Sequence, residues 1–170
     1  MMNGDCIRSL LAASFVLAFS AMGLAQGDHN PKKETLVAAH ASGPFDVKIS
    51  PQPVAEQNAA SGLGRMSIDK QYHGDLEATA KGEMLTVSTE TKDSAVYVAV
   101  ERVTGTLQGR SGSFALHHTG VMTRGVPALK ITVVPDSGTG QLVGLTGTMD
   151  IKIDNGRHSY EFDYSLPDSN

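Results

Sequence analysis

The chain has no tryptophan, only five phenylalanines and four tyrosines, and one cysteine. Cys6 lies upstream of an apolar run that reads as removable, so the rest of the chain has no thiol. That excludes a disulfide framework, a thiolate nucleophile and a cysteine-based zinc site. Charge of one sign is also missing. The 14 Lys+Arg and 18 Asp+Glu leave a net charge of −4 with no block of like charge. This argues against nucleic acid as a partner, because neutralising phosphates needs a basic face. The longest uncharged apolar stretch, Leu10 to Leu24, has 15 residues, short of the roughly 18 or more a membrane-spanning helix requires. What the chain has is 18 glycines and 40% hydrophobic residues, enough for a packed core joined by many turns.

The N-terminal run reads as an address. Arg8 precedes the apolar segment, and Gly23 and Ala25 place small residues at the −3 and −1 positions of a cleavage site. Those are the parts of a secretory signal peptide over residues 1–25. Cleavage after Ala25 would give an exported protein, periplasmic or secreted, with no membrane attachment. A flexible polar lead over residues 26–42, including Pro31-Lys32-Lys33-Glu34, then precedes a single domain over 43–167.

That domain alternates with the period of strands. Phe45, Val47 and Ile49 alternate with polar residues until Pro51 and Pro53 end the run, since proline cannot donate to a sheet ladder. Met66, Ile68 and Lys70 begin a second strand. A third runs from about Asp75 to Thr89, with a bulge expected at Gly82. Ala95 to Leu107, Ser113 to Thr123, Leu129 to Val134, Thr148 to Asp154 and Arg157 to Leu166 follow. Asn155-Gly156 suits the positive φ angles of a tight hairpin. Residues 54–62 are the one stretch fit for a helical turn. About eight short strands with almost no helix make an all-β antiparallel sandwich or closed barrel. The spacing Leu-x-Gly-x-[Ser/Thr]-Gly recurs from Leu107 and from Leu142, and reads as a reused turn.

Several near-motifs fail on chemistry. Asp136-Ser137-Gly138-Thr139 resembles an aspartic-peptidase loop, but a proton-sharing pair needs a second carboxylate loop, and a turn between strands suffices. Gly109-Arg110-Ser111-Gly112-Ser113 has Ser where a nucleophile elbow needs Gly, and a strand follows where the elbow needs a helix. His117 and His118 are adjacent on a strand, so they point to opposite faces and cannot grip one ion. No metal or cofactor is expected.

The candidate site rests on polar groups within apolar strands. Glu101 shares a face with Tyr97, Ala99 and Val103, where an unpartnered carboxylate is costly. His118 shares a face with Phe114, Leu116 and Met122 and is expected to point inward. Glu77 and Glu83 share a face on the third strand. The competing readings are a core histidine satisfied by one hydrogen bond and glutamates paired with Arg102 or Arg110 at a barrel mouth. With Met84, Met122 and Met149 as adaptable lining, Glu77, Tyr97, Glu101 and His118 are the candidate ligand-binding residues.

Three stretches carry a family likeness: Glu101-Arg-Val-Thr-Gly-Thr-Leu-Gln-Gly-Arg-Ser-Gly-Ser-Phe114, Val133-Val-Pro-Asp-Ser-Gly-Thr-Gly-Gln-Leu-Val-Gly-Leu-Thr-Gly147, and His158-x-Tyr160-x-Phe162-x-Tyr164. With Lys70-x-Tyr72-His73-Gly74-Asp75-Leu76, they resemble the bacterial domain of unknown function family numbered 3224, over roughly Gly43 to Pro167. The resemblance implies a small closed β-barrel similar to the plant allene oxide cyclase barrel, and no established activity. The export signal departs from many members, and His117 stands where the family pattern has Gln.

The leading expectation is therefore an exported barrel that binds a small, mostly apolar ligand. The alternative is a cyclase or isomerase working inside the barrel, with Glu101 or Glu77 as base or charge stabiliser and Tyr97 or His118 orienting substrate. A structural or interaction protein is the third. Finally, Val96 to Val100 is apolar on both faces, whereas a monomeric barrel needs a polar outside. This predicts a homo-oligomer with the 95–103 strand at its interface.

Overall fold

The computed structural model describes residues 35–58 and 60–168. The expected signal segment and the start of the lead lie outside the described residues. Eight antiparallel strands follow one another: β1 (Leu36–Gln52), β2 (Leu63–Tyr72), β3 (Leu76–Ser88), β4 (Ala95–Leu107), β5 (Arg110–Thr123), β6 (Val126–Val133), β7 (Thr146–Asp154) and β8 (Arg157–Pro167). Each pairs with the next, and β1 pairs with β8, so the sheet closes into a barrel. Short 3₁₀ turns at Glu56–Asn58 and Gly140–Leu142 are its helical parts among the described residues.

Local chemistry explains the meander. The β4–β5, β5–β6 and β7–β8 turns are two residues each, and both residues have positive φ: Gln108 and Gly109, Arg124 and Gly125, Asn155 and Gly156. That geometry matches the twist of the flanking strands. Only the last carries the Asn-Gly signature. The loop from Val134 to Leu145 is stapled to β5. Ser137 Oγ accepts from the Ala115 amide, and Thr139 Oγ1 accepts from the Ser113 amide. The Asp-Ser-Gly-Thr sequence is therefore a structural turn.

Two boundaries differ from the sequence reading. β1 begins at Leu36, so residues 36–42, read as lead, are strand. They pair with β8 from Leu36↔Pro167 to Ser42↔Glu161. Ala38, Ala39 and Ala41 are too small to show strong alternation, and tertiary pairing extends the strand. Gly82 forms no bulge, because the β3–β4 register runs unbroken through Lys81↔Arg102, Gly82↔Glu101 and Glu83↔Val100.

The interior is divided lengthwise. At the end holding the β2–β3 and β4–β5 turns, Phe45, Tyr72, Leu76, Leu107, Phe114, Tyr160, Phe162 and Leu166 fill the barrel. Leu142 and Leu145 from the β6–β7 loop plug that end, each 1% exposed. Phe114 and Phe162 stack with ring centroids 5.8 Å apart, and Tyr72 meets Tyr160 edge-on at 5.5 Å. The opposite end has a thinner apolar layer of Ile68, Met84 and Ala99. The barrel is thus a cup with a packed base.

The cup is uneven around its circumference. β3 and β4 pair from Leu76↔Leu107 to Ser88↔Ala95. β6 and β7 pair only at Ile131↔Met149 and Thr132↔Thr148. Beyond Ile131, toward the mouth, no ladder joins them.

Candidate functional site

On the packed base sits a buried polar cluster. Glu101 comes from β4 and Lys70 and Tyr72 from β2, while β5 contributes His118. All point inward by strand alternation. Glu101 Oε1 accepts from Lys70 Nζ at 2.9 Å, from the Tyr72 hydroxyl at 3.1 Å and from His118 Nε2 at 3.1 Å. Lys70 Nζ also donates to the Tyr72 hydroxyl at 3.2 Å. Lys70 and Glu101 are 5% and 1% exposed, so this is a fully desolvated ion pair. Glu101 Oε2 is buried without a hydrogen-bond partner, so all the donors converge on one oxygen.

The electrostatics follow from that convergence. Burial pushes the Glu101 carboxyl up, but the hydrogen bond from His118 and the charge of Lys70 outweigh it and hold the carboxyl below its ordinary range. Burial, reinforced by the Glu101 charge, lifts the Tyr72 hydroxyl well above the normal tyrosine value. The same two effects raise Tyr97 more mildly. The cluster therefore holds a committed carboxylate and neutral phenols.

Above the cluster lies an apolar cleft of about 170 Å³, lined by Phe45, Val47, Ile49, Ile68, Lys70, Met84, Tyr97, His118, Leu129, Ile151, Ile153 and His158. Every strand contributes at least one of these residues. Lys70 and His118 lie in its lining and also touch Glu101, so the ion pair forms the floor. Leu129, Ile151 and Ile153 lie beside the unpaired stretch between β6 and β7; Leu129 and Ile153 are exposed and Ile151 is half-buried against the core.

Two glycines make room for this arrangement. Gly82 faces Glu101 across the β3–β4 ladder, and a Cβ there would lie 2.6 Å from Glu101 Cβ. Gly120 faces Tyr97 across the β4–β5 ladder, and a Cβ there would overlap the Tyr97 ring. Glycine lets the Tyr97 ring lie over β5 at Gly120 and leaves the space beside Glu101 open at Gly82.

Of the four candidates, Glu101 and His118 are in direct contact, and Tyr97 lines the same cleft half-buried. Glu77 is elsewhere: it is exposed on the outer face, where it accepts from the Gly74 amide and stands 3.5 Å from His73 Nδ1. Glu83 is also outside, ion-paired with Arg65. The expected arginine pairing of Glu101 is corrected too, because its partner is Lys70. Met84 lines the cleft, Met149 lies in the packed base with Sδ 3.9 Å from the Tyr72 hydroxyl, and Met122 sits at the rim. Lys70 and Tyr72 were missed as site residues. The signal was present, because Lys70 shares an apolar face with Met66 and Ile68.

Comparison with known proteins matches residues 41–164 to the family described as "Protein of unknown function (DUF3224)". The chain belongs to this family. A solved structure of similar fold is the crystal structure of a DUF3224 protein of unknown function from Shewanella oneidensis MR-1. It is 47% identical, covers 78% of this chain and all of its own, and superposes with a TM-score of 0.71. No curated protein matches the chain. The DUF3224 family thus accounts for the barrel and assigns it no chemistry.

Proposed function

We propose that this DUF3224 barrel is an exported binding protein that takes a small, mostly apolar ligand into its mouth. The observation that carries the reading is the cleft itself: about 170 Å³, apolar along its walls, with Lys70 and His118 at its floor. An apolar cavity of roughly 150 Å³ accommodates benzene, so the ligand's buried part has the bulk of one six-membered ring. An apolar pocket with a few converging polar groups is the usual form of a small-molecule site. Binding of toluene to the isotope-labelled protein tests this. The methyl signals of Ile68, Met84 and Ile151 are expected to shift, while those of Leu85 on the outer face stay fixed. Unmoved cleft methyls at saturating toluene overturn the reading.

A second reading, a cyclase or isomerase, draws on His118 in the cleft lining and on the Glu101 carboxylate that it touches beneath the floor. In it Glu101 stabilises charge, since a carboxyl held low is a poor base, and His118 moves the proton.

The outer face adds a proposal about assembly. Val96, Val98 and Val100 on β4 are 39%, 50% and 58% exposed, and Leu85 and Val121 flank them on β3 and β5. A second copy of the chain is the proposed cover for this surface.

A further inference from the structure

We propose that the ligand is a small apolar monocarboxylic acid, held as its carboxylate between Lys70 Nζ and His118 Nδ1 and bound together with one proton. The inference rests on the cleft reading above and narrows it to a chemical class.

The donors and acceptors at the cleft floor are unequally satisfied. A lysine ammonium has three N–H donors. Two serve Tyr72 and Glu101, and the third has no acceptor among the described residues. The Phe45 and Tyr72 rings lie 5.4 and 5.6 Å from Nζ, which eases but does not satisfy a buried cation. His118 Nε2 is committed to Glu101 Oε1. A carboxylate only accepts, so Nε2 carries the hydrogen, and a singly protonated ring leaves Nδ1 as a lone-pair acceptor. Nδ1 has no partner among the described residues. With the ring singly protonated, the floor offers the cleft one donor on Lys70 and one acceptor on the far side of the His118 ring from Glu101, while the unpartnered Glu101 Oε2 is buried beneath them.

A carboxyl group with its proton is the complement of that pair. Charge balance decides how the proton is shared. Lys70 and Glu101 cancel, so a bare carboxylate would leave the desolvated site with one uncompensated negative charge. A proton taken from solvent onto Nδ1 restores neutrality and converts the acceptor into a second donor. The carboxylate then accepts from Lys70 on one oxygen and from His118 on the other, as a charge-assisted pair. The titratable or charged groups facing His118 across the cup are Lys70 and Tyr72 from β2, Tyr97 and Glu101 from β4, and His158 from β8. No carboxylate lines the cleft itself, and the Glu101 charge beneath the floor is already matched by Lys70.

The test is calorimetry on the full chain with benzoate, benzamide and toluene, at about pH 8, where benzoate is fully ionised. Each titration is run in two buffers of different ionisation enthalpy. Benzoate is expected to bind with uptake of about one proton per site. Benzamide, which brings donor and acceptor without charge, is expected to bind about tenfold more weakly, the lower end of what a charge-assisted hydrogen bond contributes. His118→Gln keeps a donor for Glu101 and is expected to abolish proton uptake. Lys70→Met with Glu101→Gln removes both charges together, so neither is left buried alone. That double variant is expected to keep toluene binding and lose the preference for benzoate. Equal binding of benzamide, or benzoate binding without proton uptake, overturns the carboxylate assignment and leaves the cleft reading standing. Failure of both toluene and benzoate to bind overturns both.

Discussion

Glu101→Gln isolates the charge at the centre of the site. The amide has the volume of the carboxyl, and its oxygen still accepts from Lys70, Tyr72 and His118, so packing and hydrogen-bond count change little. What disappears is the negative charge beside an ammonium that is 5% exposed. Breaking one half of a buried ion pair costs about 3–5 kcal/mol, because the surviving charge is stranded in a low dielectric. With the oxygen acceptor retained, the lower end applies, about 3 kcal/mol, or a thermal midpoint lowered by on the order of 10 °C for a domain of this size. Urea unfolding near neutral pH followed by circular dichroism measures it. The pH dependence carries a sign. Glu101 has a folded-state value below its unfolded one, so its contribution is full above the ordinary carboxyl value of about 4.3 and fades as pH falls through the lowered folded value. The gap between wild type and variant should therefore be widest near neutrality and close in acid. A loss below about 1 kcal/mol at neutral pH would refute the reasoning, since that is the range of an exposed pair.

Two further outcomes are expected. Gly82→Ala places a methyl 2.6 Å from Glu101 Cβ and against the Val100 carbonyl. Overpacking of this kind costs about 1–3 kcal/mol, and the shifted Glu101 should move the His118 ring signals in an NMR spectrum; an unfolding midpoint and ring signals equal to wild type would count against the proposed role of this glycine. Val98→Lys puts a charge at the centre of the outer apolar face without touching the core. Sedimentation at micromolar concentration should show wild type as an oligomer and the variant as a single chain with an unchanged circular dichroism spectrum, and a monomeric wild type ends the assembly proposal.

Much of this was legible because barrels translate sequence into geometry with a period of two. Glu101 and His118 were placed on the inward face from their neighbours alone, and they meet. Glu77 was misplaced although its own strand carries the correction. Leu76, Ala78, Ala80, Gly82 and Met84 form one apolar parity, and Glu77, Lys81 and Glu83 share the other, which is a solvated face. Lys70 as the partner of Glu101 was harder. The two come from strands that are not neighbours, β2 and β4, and meet over the small Ala80 and Gly82 of the β3 strand between them. No local pattern encodes that distance. The glycines had a similar fate: Gly82 looked like a backbone irregularity, whereas its meaning lies in the side chain opposite it. Residues 36–42 joined the barrel through pairing with β8, which small alanines do not announce.

The short seam between β6 and β7 has a consequence of its own. A ring of strands is usually as strong as its continuous hydrogen bonding, yet here the clasp is two residue pairs long, and the Thr132 hydroxyl within it is buried without a partner. Backbone groups of residues 126–130 find partners on β5 but none on β7. Widening the mouth at this line breaks few interactions, whereas widening it anywhere else must unzip a long ladder. The aperture is therefore adjustable along one generatrix of the cylinder, and Leu129, Ile151 and Ile153 are its jaws. A molecule longer than the resting cleft would leave its tail there, and amide exchange in the barrel would begin at this clasp rather than be shared evenly around the rim.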